Sequence, residues 1–259
     1  MTTALALSAF LAVVAGGAVG FALRIVGGGG SLLGVPLLLY VVGAPSPHVA
    51  IGTSAAAVGL NAAYGLLAGR TMARIKWRCA LVFAGAGIAG AAIGSSIGKA
   101  VDGHHLLAVL AAVMVAVAAS MLLRRNAPGN PAVRLAAENF LKLVAFGFAT
   151  GAVSGIFGIG GGFLIAPALV AATGMPIASA VASSLVPVLA FSLTTAANYQ
   201  LSGLVDWPLA ALFAVGGILG GGLAARPAAH LSARPAMLNA LFAGLIVAAA
   251  LVMFAESLA

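Results

Sequence analysis

Two long stretches of this chain contain no charged side chain. No Asp, Glu, Lys or Arg occurs from Ile25 to Gly69 or from Leu143 to Val205, and these stretches are 45 and 63 residues long. A membrane-spanning helix needs about 20 apolar residues, so each stretch can hold more than one crossing. Charged residues make up 6% of the whole chain, whereas a soluble domain carries about 25% to cover its surface. The sequence therefore predicts an all-α integral membrane protein and excludes soluble enzymes and disulfide-stapled secreted domains.

The basic residues indicate how the chain is oriented. The net charge is +8, but the positive charges lie in short segments between apolar stretches, which argues against a nucleic-acid-binding protein. Segments 70–78 and 124–142 each hold four basic residues, whereas segment 99–105 holds one Lys and one Asp. The positive-inside rule places the first two in the cytoplasm and the third outside. In the second half the pattern is reversed, because the segment around Asp206 has no basic residue and segment 226–234 has two.

Charges and turn residues divide the chain into two sets of apolar helices. Each set has a long first helix, a glycine cluster, a short helix and three further spans. In the first set the predicted helices are Ala4–Arg24, the short helix Ser31–Val42, Pro47–Gly69, Cys79–Gly98 and Leu106–Leu123. In the second set they are Phe140–Phe157, the short helix Phe163–Thr173, Pro176–Leu201, Trp207–Ala225 and Pro235–Ala255. Residues 1–125 thus form a first membrane repeat, 126–138 a cytoplasmic linker and 139–259 a second membrane repeat.

The two sets are an internal duplication. A shift of 131 residues pairs Pro36 with Pro167 and superimposes the glycine clusters, and a shift of 130 pairs Trp77 with Trp207. Because equivalent loops lie on opposite sides of the membrane, the repeats are predicted to be inverted. The short helices have 12 and 11 residues and extend about 18 and 16 Å, too little to cross a hydrocarbon core of about 30 Å. We therefore expect two re-entrant hairpins that enter from opposite faces and carry glycine-rich tips near the midplane.

The glycine clusters at 27–30 and 158–162 are predicted to be the tips of these hairpins. Each tip precedes the N-terminus of a short helix, where backbone N–H groups lack helical partners and the helix dipole is positive. Two such N-termini that converge from opposite faces attract an anion, as in transporters built from discontinuous helices. The candidate substrate-binding residues are the tips and the polar or charged residues near them: Arg24, Gly27, Gly28, Gly29, Gly30, Ser31, Thr53, Ser54, Gly158, Gly160, Gly161, Gly162, Ser183, Ser184 and Asn198.

Each kind of candidate residue can also have a purely structural role instead of binding the substrate. Glycines can serve close helix packing, which is the favoured interpretation for the glycines spaced by four within spans 79–98 and 207–225. The hydroxyl pairs at 53–54 and 183–184, like Asn198, can hydrogen-bond between helices. Arg24, the one charge deep in an apolar stretch, can extend to the lipid headgroups instead of binding the anion.

Enzymatic and cation-transport functions do not fit the distribution of reactive side chains. Neither glycine cluster is followed by the Lys of a nucleotide-binding P-loop. All four histidines lie in loops or at the ends of predicted spans, so no buried base can activate Ser154. No Asp or Glu lies within a predicted span, which removes the usual ligand for Na⁺ or a proton. The sequence therefore predicts no enzyme activity, no metal site and no cofactor.

The glycine clusters also carry a resemblance to a known family. The segment Gly158-Ile-Gly-Gly-Gly-Phe-Leu-Ile-Ala-Pro167 resembles the glycine-rich signature of the TauE/SafE sulfite exporter family, also called the toluene sulfonate uptake permeases. The segment Gly27-Gly-Gly-Gly-Ser-Leu-Leu-Gly-Val-Pro36 resembles its copy in the first repeat, and segments 50–54 and 180–184 resemble the small-residue segment that follows. The resemblance covers nearly the whole chain. It implies a multi-pass transporter of the bacterial inner membrane, with sulfite, sulfonates or related sulfur-containing organic anions as substrates.

Together these features predict a secondary transporter of a small anion, which works by alternating access through a site between the glycine tips. Two alternatives stay open: an anion channel that uses the same pore, and a membrane scaffold without transport. The expected partners are a small anionic substrate and the lipid bilayer, with no nucleic acid. The identity of the anion, the direction of transport, the coupling ion and a homo-oligomeric state are left open by the sequence.

Overall fold

A computed structural model describes residues 2–26, 28–68, 72–123, 137–224, 244 and 247–254. Throughout these ranges the regular elements are helices, which confirms the predicted all-helical fold. Among the described residues, four helices are long and apolar enough to cross a membrane: Pro47–Leu67, Trp77–Ala100, Asn139–Phe157 and Ile177–Gln200. Most of the predicted linker 126–138 lies outside the described residues, as does much of the predicted last span, 235–255.

The helices follow the predicted order along the chain. The first half contains α1 (Thr2–Val26), a 3₁₀ helix (Gly28–Leu33), the single turn α2 (Gly34–Pro36), a π-helical turn (Leu37–Val41), α3 (Pro47–Leu67), a 3₁₀ turn (Met72–Arg74), α4 (Trp77–Ala100) and α5 (Gly103–Leu123). The second half contains α6 (Ala137–Phe157), α7 (Gly162–Thr173), α8 (Ile177–Gln200) and α9 (Trp207–Leu223), and residues 247–254 are helical. The long helices therefore lie where the apolar stretches predict them.

Short polar side chains fix the starts of several helices. Ser46 Oγ at the start of α3 and Asp206 Oδ1 at the start of α9 each accept a hydrogen bond from the N–H three residues later, at 3.2 and 3.0 Å. A proline stands in the first turn of both helices, where its missing N–H leaves no bond unmade. Before α5, the His104 N–H donates to Asp102 Oδ1 at 2.9 Å, and this bond lowers the pKa of the Asp102 carboxyl. Both loop aspartates thus act locally, at the starts of helices.

The segment after the first glycine cluster differs from the prediction. The sequence predicts an α-helix over 31–42, but the structure has a 3₁₀ helix from Gly28, one α-turn and a π-helical turn that ends at Val41. Gly34 and Pro36 stand two residues apart, and each weakens an α-helix, the first through backbone entropy and the second through its missing N–H. In α7 the position equivalent to Gly34 is Ile165, and that helix stays regular. The prediction of a regular short helix is therefore wrong in the first repeat and correct in the second.

Glycine seams join helices of the first half to helices of the second. α4 runs parallel to α6, and α9 runs parallel to α1. A Cβ atom added at Gly90 or Gly94 would fall closer than 3.0 Å to backbone atoms of α6, and one added at Gly216 or Gly220 would do the same against α1. Small residues let membrane helices approach each other this closely. The packing interpretation of the glycines in these two spans is confirmed.

α3 and α8 cross antiparallel at the centre of the bundle. Gly52 faces Tyr199, and Gly65 faces Leu185 at the opposite end of the crossing. α7 packs against α8 and also contacts the 3₁₀ helix Gly28–Leu33 of the first repeat. The segments that follow the two glycine clusters therefore touch each other beside the central helices.

Candidate functional site

The second glycine cluster forms a tight reversal between α6 and α7. Gly158, Gly160 and Gly161 have φ angles of +62°, +65° and +66°. An L-residue in this left-handed region costs about 1–2 kcal/mol, whereas glycine adopts it freely. The Gly158 N–H still donates to Ser154 O at 2.9 Å and ends α6, and α7 begins at Gly162. The reversal therefore needs glycine for its backbone conformation.

The space around the tip also requires glycine. A Cβ at Gly158 would strike the Ile51 carbonyl, and a Cβ at Gly160 would lie 2.6 Å from Val58 Cγ1 and 2.7 Å from Ser192 Oγ. Val58 lies near the middle of α3, and Ser192 lies within α8. The tip is thus inserted between α3 and α8, with Gly160 near the middle of both helices.

Backbone donors are left available where α7 begins. The N–H groups of Leu164 and Ile165 donate to Gly161 O at 2.9 Å. Within the described residues, the N–H groups of residues 160–163 donate to no carbonyl in good hydrogen-bonding geometry. They stand at the positive end of a 12-residue helix whose first residues are buried. Buried N–H groups of this kind are almost always paired in folded proteins, so they indicate a site for an anion or for water.

Two serine hydroxyls flank this tip. Ser154 and Ser192 are both 0% exposed, and neither hydroxyl has a hydrogen-bond partner among the described residues. Ser192 Oγ lies beside Gly160, and Ser154 Oγ is 3.2 Å from the position that a Cβ of Gly161 would take. From the sequence, Ser154 is assessed only as a possible nucleophile, and Ser192 is not among the predicted site residues. A signal was present, because Ser154 precedes Gly158 by one helical turn and Ser192 follows Ser184 by about two turns on one face of α8.

The predicted hydroxyl pairs have separate positions and partners. Thr53 Oγ1 accepts a hydrogen bond from Asp206 N at 3.0 Å, and Ser183 Oγ accepts one from Lys76 N at 2.8 Å. These bonds hold the starts of α9 and α4, which belong to the opposite halves of the chain. Ser184 Oγ donates to Val181 O of its own helix at 2.9 Å. Ser54 Oγ is buried without a partner among the described residues and lies against Gly34.

Asn198 belongs to a polar cluster at the ends of α4 and α8. Its Nδ2 donates to Ser95 Oγ at 2.6 Å and to Ser96 Oγ at 3.0 Å, and its Oδ1 accepts from Lys99 Nζ at 2.7 Å. Lys99 Nζ also donates to Asn198 O at 2.9 Å and to Ser202 Oγ at 3.0 Å. Asn198 lies six residues beyond Ser192, or about 9 Å along α8. Asn198 thus takes part in a network that ties two helix ends together.

The first-repeat candidates are described only in part. Arg24 lies near the end of α1, but its side chain and Gly27 lie outside the described residues. Gly28, Gly29 and Gly30 open the 3₁₀ helix that contacts α7, and Ser31 is buried at 1% exposure. Within the described residues, no group of three or more His, Cys, Asp or Glu side chains is placed to hold a metal ion.

The sequence of the chain is similar to those of proteins named as probable membrane transporters. Residues 12–253 match the family described as Sulfite exporter TauE/SafE. The chain is 47% identical over 245 residues to a "Probable membrane transporter protein" of Xylella fastidiosa strain 9a5c, which covers 94% of each chain. It is 27% identical over 222 residues to the "Probable membrane transporter protein YunE" of Bacillus subtilis strain 168, which covers 78% of this chain and 81% of the relative. No solved structure matches the chain.

Proposed function

Because this chain belongs to the TauE/SafE sulfite exporter family, we propose that it is a secondary transporter of a small anion. The names of the family and of its relatives indicate a membrane transporter. The proposed substrate is sulfite, a sulfonate or a related sulfur-containing organic anion, carried across the inner membrane by alternating access. The proposed site lies where the two glycine segments meet.

The observation that carries this proposal is the set of backbone donors at the second tip. The N–H groups of residues 160–163 are held at a buried helix N-terminus and donate to no backbone carbonyl among the described residues. Neutral donors that are fixed before the ligand arrives bind an anion without a matching cation. The uncharged stretch from Leu143 to Val205 contains the whole tip, so no carboxylate of this stretch repels a negative substrate.

The packing supports an inverted repeat, on which the alternating-access proposal depends. Gly16 lies against Phe213 in the α1–α9 seam, and Gly147 lies against Phe83 in the α4–α6 seam. These residues correspond under the shifts of 131 and 130 found in the sequence. The hydrogen bonds made by Thr53 and Ser183 correspond in the same way. The operation that superimposes one repeat on the other therefore places the α1–α9 seam on the α4–α6 seam.

In the proposed alternating access, the transporter moves as two bodies that each contain helices of both repeats. One body contains α1, α3 and α9, and the other contains α4, α6, α7 and α8. The two meet along the crossing of α3 and α8, beside the second tip. Movement of one body against the other along this crossing opens the site to one side of the membrane at a time.

The proposed topology has both termini outside and the segments 70–78 and 124–142 in the cytoplasm. Single cysteines introduced at Ser257 and at Asn130, in a Cys79→Ala background, report on it in intact cells. An impermeant thiol reagent is expected to label the first and not the second. Equal labelling or equal protection of both positions contradicts the inverted repeat.

Flux into proteoliposomes tests the function itself. A carrier shows saturation and counterflow of labelled sulfite, whereas a channel shows a flux that follows the voltage, and a scaffold shows no flux above empty vesicles. We expect saturation and counterflow. Absence of flux for sulfite, sulfate, sulfoacetate, taurine and thiosulfate refutes the proposal.

A matched pair of glycine variants locates the site within the transporter. Gly161 and Gly174 both have positive φ, at +66° and +72°, so valine strains the backbone equally at both. A Cβ at Gly161 meets Ser154 at 3.0 Å, whereas a Cβ at Gly174 has no described atom within 4 Å. Gly161→Val is expected to lose transport while the protein still inserts, and Gly174→Val is expected to keep it. Similar flux in the two variants removes the tip from the transport route.

A further inference from the structure

We propose that Ser154 and Ser192 are ligands of the transported anion. This anion is an oxyanion, and it binds at the second glycine tip and not midway between the two repeats. This inference rests on the proposed function and adds a donor set to it. The ligands are the two serine hydroxyls together with the N–H groups of residues 160–163. The class of substrate is an anion with several oxygen atoms around one central atom.

The first support is that these two hydroxyls lack the bond within their own helix that other hydroxyls of this protein make. Thr150 Oγ1 donates to Phe146 O at 2.6 Å, and Thr194 Oγ1 donates to Ala190 O at 2.8 Å, each within its own helix. Such a bond is the ordinary way for a serine or threonine to satisfy its hydroxyl in an apolar helix bundle. Ser154 and Ser192, like the buried hydroxyls of Ser54 and Thr195, make no such bond and have no other partner among the described residues. Of these four, Ser154 and Ser192 lie against the second tip, and because an unpaired hydroxyl in an apolar interior is costly, the pair indicates a polar ligand there.

The second support is the position of the hydroxyls relative to the backbone donors. Ser192 Oγ lies 2.7 Å from the Cβ position of Gly160, and Ser154 Oγ lies 3.2 Å from that of Gly161. The hydroxyls therefore reach the tip from α8 and from α6, beside the residues that carry the available N–H groups. Donors that come from three separate elements suit an anion whose oxygens point in different directions.

The third support is that the first repeat lacks these hydroxyls. The shift of 131 places Leu23 at the position of Ser154, and the shift of 130 places Ala62 at the position of Ser192. The first short segment is also a 3₁₀ helix where the second is a regular α-helix. Only the second tip combines a full helix N-terminus with hydroxyl donors in the described part of the chain. The anion is therefore placed at this tip.

The test measures binding and stability of the purified full chain with defined probes. The variants are Ser154→Ala and Ser192→Ala, and the control is Thr194→Val, which removes a hydroxyl of α8 that is already bonded within its helix. The probes are sulfite, sulfate and methanesulfonate, with chloride as a halide. A hydrogen bond to a charged group predicts a loss of about 10-fold or more in oxyanion affinity for each of the two variants. Chloride binding and the control variant are expected to change by less than about 2-fold.

Thermal unfolding of the anion-free protein distinguishes a residue that binds the anion from a residue that only stabilises the fold. Removal of an unsatisfied hydroxyl is expected to leave the stability of the free protein unchanged or slightly higher. A structural hydroxyl would give the opposite sign, and a lower stability of both variants without ligand overturns the proposal. Oxyanion affinities equal to wild type also overturn it.

Oxyanion binding by Gly161→Val distinguishes a failure of the serine-ligand proposal from a failure of the proposed transport function. If Gly161→Val loses oxyanion binding while both serine variants keep it, the tip is the site and the hydroxyls are not ligands. If the wild-type protein binds and transports none of the oxyanions, the proposed function fails, and this inference fails with it.

Discussion

The α4–α6 seam makes a sharp prediction about two glycines of the same helix. A Cβ at Gly90 overlaps the Phe148 carbonyl of α6, whereas a Cβ at Gly85 has no described atom within 4 Å. Alanine in place of glycine favours a helix by about 0.5–1 kcal/mol. Overpacking costs about 1–3 kcal/mol, and at Gly90 the obstructing atom is backbone and cannot rotate away. Gly90→Ala is therefore expected to lower the free energy of unfolding by about 1–2 kcal/mol, and Gly85→Ala to raise it by up to about 1 kcal/mol.

The repeat provides an independent copy of this experiment. Gly220 of α9 is equivalent to Gly90. A Cβ added at Gly220 would overlap the Gly17 carbonyl of α1, whereas one added at Gly222 has no described atom within 4 Å. Gly220→Ala and Gly222→Ala are expected to repeat the signs of the first pair. The assay is thermal unfolding in detergent, followed by tryptophan fluorescence, with the four variants measured in parallel. Shifts of equal sign and size for Gly90→Ala and Gly85→Ala would refute close contact of the helices.

Three further predictions concern the contacts between the halves and the charge of Arg24. Thr53→Val and Ser183→Ala each remove the acceptor of a part-buried backbone N–H, and each is expected to cost about 1 kcal/mol in thermal unfolding; no loss in either would show that water replaces the hydroxyl. Lys99→Met removes the donor to Asn198 and Ser202, so it is expected to lower stability by about 1–3 kcal/mol and to keep oxyanion binding, because the proposed ligands are the two serines and the backbone N–H groups of the second tip. Arg24→Gln is expected to weaken anion binding by about 10- to 150-fold if the charge faces the site, with Arg24→Lys losing less; unchanged affinity removes Arg24 from the site.

The helices of this fold could be predicted because the bilayer leaves few choices. A long uncharged stretch must satisfy its backbone within itself, and only a helix does so over one segment. Turn residues and prolines then set the bounds, as Pro47 and Pro208 do in the first turns of α3 and α9. The irregular segment after Gly28 could not be predicted in this way. Its 3₁₀ and π turns depend on how Gly34 and Pro36 act together and on the packing of Gly34 against Ser54.

The polar side chains were harder to assign than the helices. Thr53, Ser154, Ser183 and Ser192 are similar in sequence context, since all four lie in uncharged stretches rich in small residues. Two of them accept bonds from backbone N–H groups more than 100 residues away, at Asp206 and Lys76. The other two have no partner among the described residues. This difference depends on which helices meet, and no local pattern contains that information.

The two repeats agree in their packing and differ in their polar contents. At Phe191 of α8 the aromatic ring covers Gly87, and at the equivalent position of α3 the amide of Asn61 covers Gly217. Both amide atoms of Asn61 are buried without a partner among the described residues, whereas the Phe191 ring stacks on Phe83 at 6.3 Å. A duplicated frame needs the same glycines in both seams, because each seam has to bring two backbones together. The proposed substrate imposes no such symmetry, since one small anion occupies one place. We therefore expect function to be concentrated at positions where a polar residue in one repeat corresponds to an apolar one in the other, and Ser154, Ser192 and Asn61 are such positions.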